Sequence, residues 1–164
     1  MEKTVIILRA LPGSGKSFLA GLITRHHPSS SIINIDRYFY NEKGEYVYDP
    51  KDTETIHKNL VLAQTKFDHA MEMNIELIVI DCVNETKKHV DGWRSVAEKN
   101  GYHVVIAEIP HIDPSILAAR NTKNVPEERI RKKMIRWEYL GYDLPIQRCI
   151  RKIKRFFINP NSSW

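Results

Sequence analysis

Four short apolar runs punctuate an otherwise polar chain. They are Thr4–Leu8, Ser31–Ile35 ("SIINI"), Ile75–Ile80 ("IELIVI") and Tyr102–Ile109. Each is rich in β-branched residues and too short for a globular helix, which predicts buried parallel strands. The stretches between them carry apolar residues at spacings of three and four, which predicts helices. Leu19, Leu22 and Ile23 mark a helix over Phe18–Arg25. Asp49 as N-cap and Pro50 at the first helical position begin another, with Ile56, Leu60, Ala63, Phe67, Ala70 and Met71 as its inner stripe. Asn84 caps a third, with Val90, Trp93 and Ala97 inward and Gly101 ending it. Asp113-Pro114 starts a short helix running to about Asn121. Pro126 starts one with Ile130, Met134, Trp137 and Leu140 inward, ending at Gly141. Pro145–Phe157 reads as a last helix, with Ile146, Ile150 and Ile153 inward and Arg148, Arg151, Lys152 and Arg155 outward. Asn41 to Gly44 is a turn between two aromatic runs.

Strands alternating with helices at this spacing predict right-handed crossovers and an α/β fold, a parallel sheet flanked by helices on both faces. No repeat, linker or low-complexity segment divides the chain, so residues 1–164 read as a single domain.

Composition changes the picture little; charge distribution changes it more. Apolar content of 42% and charged content of 27% are those of a globular chain. No run approaches the roughly 18 apolar residues of a membrane span, and Val5–Leu8 is too short for a signal-peptide core. The expectation is an intracellular protein of nucleus or cytoplasm with no membrane partner. Cys82 and Cys149 form no C-x-x-C pair, and the seven histidines lack zinc-ligand spacing. The net charge is +5, but Arg120–Arg155 alone holds twelve Lys/Arg against four Asp/Glu, a net of +8 that leaves −3 for the rest. That asymmetry fits either an anionic partner, nucleic acid first, or a solvated helix face.

The chemistry begins at "RALPGSGKS", Arg9–Ser17. The phosphate-loop pattern G-x-x-x-x-G-K-[ST] is met at Gly15, Lys16 and Ser17, in the required strand–turn–helix context, with Ala10 in place of the first glycine. Backbone N–H groups of Gly13, Ser14, Gly15, Lys16 and Ser17 would wrap a phosphate at a helix N-terminus. Lys16 would reach the β- and γ-phosphates and the Ser17 hydroxyl would ligate Mg²⁺. Glycine is mandatory only at positive φ or where a ligand excludes a Cβ. At a strand end Ala10 is expected to be tolerated.

Ligands of an open parallel sheet bind beyond the carboxyl ends of its strands. Two of the runs end there in an acid, Asp36 and Asp81. A kinase acting on a hydroxyl needs a carboxylate to take its proton and another to orient hydrated Mg²⁺. Asp36 is expected to do the first and Asp81, through water, the second, unless each only caps a turn.

Together, "LPGSGKS" (11–17), "IDRYF" (35–39), "VIDCVN" (79–84) and "ARNTKNVPEERI" (119–130) resemble P-loop kinases of the polynucleotide 5′-hydroxyl kinase type. The chain resembles the kinase-like domains of NEDD4-binding protein 2 and its short relatives and of YLP-motif-containing proteins. The resemblance implies a P-loop fold with a helical lid over about 113–137, ahead of a basic helix at about 145–157. It implies transfer of the γ-phosphate of ATP to a nucleic acid 5′ end, RNA or DNA, with Mg²⁺ and with GTP an open alternative donor. It places the general base at Asp36, the D-x-x-N acid and amide at Asp81 and Asn84, and the lid arginine that contacts donor phosphates at Arg120. Where many relatives have a second acid, this chain has Arg37, read as an acceptor-side contact with Tyr38 and Asn84. The lid lacks the usual His-Gly pair, and Lys123 is read as a second positive charge there and as a further acceptor contact.

Tyr38, Phe39, Tyr40, Tyr46 and Tyr48 flank the acceptor-side acid. Exposed members could stack bases, while Phe39 is expected in the core. Arg129, Lys132, Lys133, Arg136, Arg151, Lys152 and Arg155 could track a phosphate backbone. Two other readings stay open: a nucleotide-gated RNA adaptor without transfer activity, and a small-molecule kinase on the same scaffold.

Overall fold

The computed structural model describes residues 2–140. Four strands, β1 (Thr4–Arg9), β2 (Ser30–Ile33), β3 (Leu77–Asp81) and β4 (His103–Glu108), form one parallel sheet in the order β2-β3-β1-β4. All five β3 residues are buried, as expected of a strand covered on both faces. The register sets Leu8 of β1 opposite Asp81 of β3. The segment leaving β1 therefore starts beside that acid.

The two-residue period of the strands splits the core. Leu8, Leu77 and Val79 face α1 (Lys16–Thr24) and its Ala20, Leu19 and Ile23. Val5, Ile7, Ile33, Ile78 and Ile80 face α2 (Thr53–Glu72) and α3 (Lys87–Lys99). On that side Phe67 and Trp93 meet edge to face at 5.2 Å. Val90, Trp93 and Ala97 are the buried face of α3 as the spacing requires, and Gly101 follows its end at φ +75°. A third cluster, Leu11, Leu117, Ile130 and Trp137, packs α4 (Pro114–Arg120) and α5 (Glu127–Ile135) against the segment after β1.

Several boundaries differ from the sequence expectation, each for a local reason. β2 stops at Ile33 because the Asn34 side chain accepts the Asp36 N–H at 2.8 Å and caps a 3₁₀ turn, Ile35–Phe39. α2 starts at Thr53, capped by Asp52, not at Asp49. The Asp49 carboxylate is already engaged by the Lys51 N–H in a turn ahead of the helix. Leu60, expected inward, is 46% exposed, while Asn59 is buried and donates to the Tyr38 carbonyl. Thr86 rather than Asn84 caps α3. α1 begins two residues early, at Lys16. α5 ends at Ile135, although Trp137 beyond it is still buried. The expected helix at 145–157 and Cys149 lie outside the described residues. Among the described residues no helix is long and apolar enough to cross a membrane.

Candidate active site

Beyond the carboxyl ends of β1, β2 and β3 opens a cleft of about 1190 Å³. One wall is the loop from Leu11 to Ser17. Gly13 and Gly15 have φ of +82° and +81°, the left-handed region that a Cβ disfavours. Gly13 has a second constraint, since a Cβ there would lie 2.1 Å from the Leu117 carbonyl oxygen. The loop and helix α4 therefore meet backbone to backbone. Ala10 is fully buried and is not among the described residues with positive φ, so its backbone conformation does not require a glycine. α1 begins at Lys16, so the N–H groups of its first turn and its partial positive charge face the cleft.

One acid, Asp36, lines the cleft, and a second, Asp81, is buried in contact with Lys16, which lines it. Asp81 is 2% exposed; its Oδ2 accepts a hydrogen bond from Asn34 Nδ2, and Lys16 Nζ lies 3.2 Å from its Oδ1. That Oδ1 accepts no hydrogen bond despite its burial, which leaves a lone pair for a cation or a water. Among the described residues no group of three or more His, Cys, Asp or Glu could cage a metal. A Mg²⁺ here would rest on one carboxylate, the Ser17 hydroxyl and the oxygens of a bound phosphate, the mode that ion commonly adopts. Asp36 sits on the 3₁₀ turn, where Tyr46 donates its hydroxyl to Oδ1 at 3.3 Å and Lys123 donates its ammonium to Oδ2. Between the acids lies Cys82. Burial pushes its thiol up to about 11; the Ile35 backbone hydrogen bond and the Lys16 charge oppose this, and the charges of Asp36 and Asp81 add slightly to it.

The remaining wall is basic and aromatic. Arg120, at the end of α4, lines it with Lys123, Arg129, Lys133 and Arg136. Phe39, Tyr46 and Tyr48 line it too, and Phe39 is buried as expected. The tyrosines ride on a small hairpin closed by the Tyr40–Tyr46 bridge. Tyr46 and Tyr48 are nearly parallel at 6.4 Å, and the Arg129 guanidinium lies 5.5 Å from the Tyr48 ring centre. Burial first, then the Asp36 charge, raises the Tyr46 phenol well above its usual range.

Two residues read as acceptor contacts are elsewhere. Arg37 and Tyr38 do not line the cleft. A 3₁₀ turn has three residues per turn, so Asp36 and Phe39 share a face and the two residues between them point away. Tyr38 instead packs against the core and places its hydroxyl 3.5 Å from the Leu62 carbonyl. Asn84 borders the cleft, but its side chain is committed to the scaffold. It is buried at φ +52°, donates to the Leu8 and Cys82 carbonyls, and accepts from the Trp93 indole.

Sequence reasoning missed Arg9, the last residue of β1. Its side chain is fully buried, donates to the carbonyls of Asn84, Glu85 and Glu138, and pairs with Glu108. The available signal was a charge flanked by Leu8, Ala10 and Leu11, since an arginine inside an apolar run must find partners. Asn34 was missed as well. Its signal was an Asx residue two before the acid it caps.

The sheet order and the glycine loop at the head of α1 define a P-loop kinase-like fold. No protein-family model matches the chain. It is 33% identical over 133 residues to NEDD4-binding protein 2 of Homo sapiens, covering 79% of the chain and 7% of that protein. It is 26% identical over 161 residues to YLP motif-containing protein 1 of Homo sapiens, covering 84% of the chain and 7% of that protein. The chain is thus a homologue of a segment of each, a small part of their lengths. Among solved structures, a gluconokinase from Sinorhizobium meliloti 1021 superposes with a TM-score of 0.57 at 15% identity, covering 86% of this chain and 78% of that one. A chain of the Pnkp1/Rnl/Hen1 RNA repair complex superposes with a TM-score of 0.63 at 17% identity, covering 83% of this chain and 44% of that one. At such identities the likeness shows the fold.

Proposed function

We propose that this chain is an ATP-dependent kinase that transfers the γ-phosphate to a 5′-hydroxyl of RNA or DNA. The observation that carries the reading is convergence: Lys16, Asp36 and Arg120 border one cleft whose remaining wall is basic and aromatic, and Asp81 lies buried 3.2 Å from the Lys16 ammonium. A phosphoryl transfer needs a cradle for the donor, a base for the acceptor and positive charge for the transition state.

In this reading the N–H groups of Gly13 to Ser17 hold the donor phosphates, and Lys16 leaves Asp81 to meet the β- and γ-phosphates. Ser17 and Asp81, the latter through water, would hold Mg²⁺, which supplies charge neutralisation at the phosphates. Asp36 accepts the proton of the acceptor hydroxyl as that oxygen bonds to the γ-phosphorus. The bond from phosphorus to the bridging β–γ oxygen breaks, releasing ADP. Arg120 stabilises the charge spread over the transferring group. Arg129, Lys133 and Arg136 give a polyanionic acceptor a path across the wall, and Tyr48 offers a base a ring face.

The test is incubation with γ-labelled ATP or GTP and Mg²⁺ against 5′-hydroxyl RNA, 5′-hydroxyl DNA, free nucleosides and gluconate. Label on an oligonucleotide 5′ end supports the reading. Label on gluconate or a nucleoside alone points to a small-molecule kinase. Tight oligonucleotide binding without label transfer points to an adaptor.

A further inference from the structure

Both oxygens of Asp36 are occupied by groups from distant parts of the chain. Tyr46, from the hairpin, donates to Oδ1, and Lys123, from the linker between α4 and α5, donates to Oδ2. Lys123 Nζ also lies 5.5 Å from the Tyr46 ring centre, so the three side chains close into one cluster. An acceptor hydroxyl must either share Asp36 with these two partners or displace one of them.

The two partners are not equally free to move. Tyr46 is wedged between rings, 5.3 Å from Tyr40 and 6.2 Å from Phe39, on a hairpin whose ends are bonded together. Lys123 sits on a linker turn held by its own N–H to Asn121 Oδ1 and followed by Asn124 at φ +53°. Its ammonium ends a flexible four-carbon stem. Lys123 is the partner more easily displaced. An ion pair with side chains only 20% and 27% exposed is not given up for nothing. A neutral acceptor offers no replacement, whereas a phosphate beside the reacting hydroxyl offers charge-assisted acceptors for the same ammonium.

We propose that Lys123 exchanges between Asp36 and the acceptor phosphate nearest the reacting hydroxyl, so that Asp36 is uncovered only by a phosphate-bearing acceptor. Lys123 is then a specificity-determining residue, and Tyr46 keeps the carboxylate aimed while the exchange occurs. This rests on the kinase reading above.

The test compares a 5′-hydroxyl oligonucleotide with one whose first internucleotide linkage is an uncharged methylphosphonate. Transfer from ATP is measured for each, and so is binding of each without ATP. The unmodified chain should prefer the charged linkage by about tenfold to a hundredfold in kcat/KM, the equivalent of one charge-assisted contact. Lys123→Ala should erase that preference, lowering transfer to the charged acceptor while raising it to the uncharged one. Lys123→Arg and Tyr46→Phe should keep the preference. A Lys123→Ala variant that slows both acceptors by the same factor overturns the exchange and leaves Lys123 a structural lid residue. Absence of transfer to every acceptor sinks the kinase reading instead. In that case the exchange still predicts that Lys123→Ala weakens binding of the charged oligonucleotide alone, and equal weakening of both overturns it.

Discussion

The guanidinium carbon of Arg9 lies 4.5 Å from the centre of the Trp137 ring. The same group reaches the carbonyls of Asn84, Glu85 and Glu138 and the Glu108 carboxylate. Arg9 thus joins the strand that feeds the phosphate loop to the loop after β3, to the edge strand β4 and to the segment beyond the lid. Removing it would strand a carboxylate and three carbonyls. Arg9→Met should destabilise the fold by roughly 3–5 kcal/mol, the usual cost of breaking a buried ion pair. Urea unfolding monitored at the tryptophans will show it, and an unchanged midpoint would mean water replaces the network.

Lys16 and Asp36 should separate binding from transfer. Lys16→Ala removes the group that meets the donor phosphates and leaves Asp81 buried without its counter-ion, so both nucleotide binding and transfer should be lost. Asp36→Asn keeps the shape of the 3₁₀ turn and removes the proton acceptor together with the charge that pairs with Lys123. Nucleotide affinity by calorimetry should stay near normal while transfer falls by about 10²–10⁴-fold. Equal loss of both functions in Asp36→Asn would count against the base assignment.

The two small residues of the loop should behave oppositely. Gly13→Ala forces a Cβ into the Leu117 carbonyl at a left-handed backbone position. It should displace the loop or α4 and abolish nucleotide binding. Ala10→Gly restores the usual motif yet only adds unfolded-state freedom, costing about 0.5–1 kcal/mol of stability with no gain in affinity. A clear rise in nucleotide affinity for Ala10→Gly would show that Ala10 strains the loop.

Burial raises the Cys82 thiol from an ordinary 9.0 to about 11. The folded state therefore holds this proton more tightly than the unfolded state. Its contribution to stability is complete below about pH 9 and lost as pH rises through about 11. Stability should fall in that window by about 1.4 kcal/mol per pH unit from this group. Tyr46 and Tyr102, also raised by burial, add to the decline at its upper end. Cys82→Ala should flatten the part between pH 9 and 10, read from urea midpoints across pH. A slope identical to that of the parent chain would show that the thiol ionises freely when folded.

Much of the scaffold was legible because its physics is local. β-branched runs marked the strands, and the spacing of Val90, Trp93 and Ala97 fixed the inner face of α3. The glycine loop and both acids were found from their position at strand ends; the loop and Asp36 border one cleft, and Asp81 is buried against Lys16. What was not legible depended on side chains acting on backbone or across long separations. A single Asn34 hydrogen bond turns the chain into a 3₁₀ helix, which changed the facing of Arg37 and Tyr38. Lys123 reaches Asp36 across 87 residues, a contact no local pattern encodes.

The hairpin bearing Tyr46 leaves and rejoins the body at one place, where the Val47 N–H donates to the Phe39 carbonyl at 2.7 Å. A segment rooted this way can be lengthened, shortened or rewritten without shifting the sheet or the glycine loop. Change there falls on the wall beside Asp36 and spares the wall beside Lys16. If the chain is the kinase proposed above, the fold separates what can drift from what must stay, so that one recipient could be traded for another while the phosphate source remains the same.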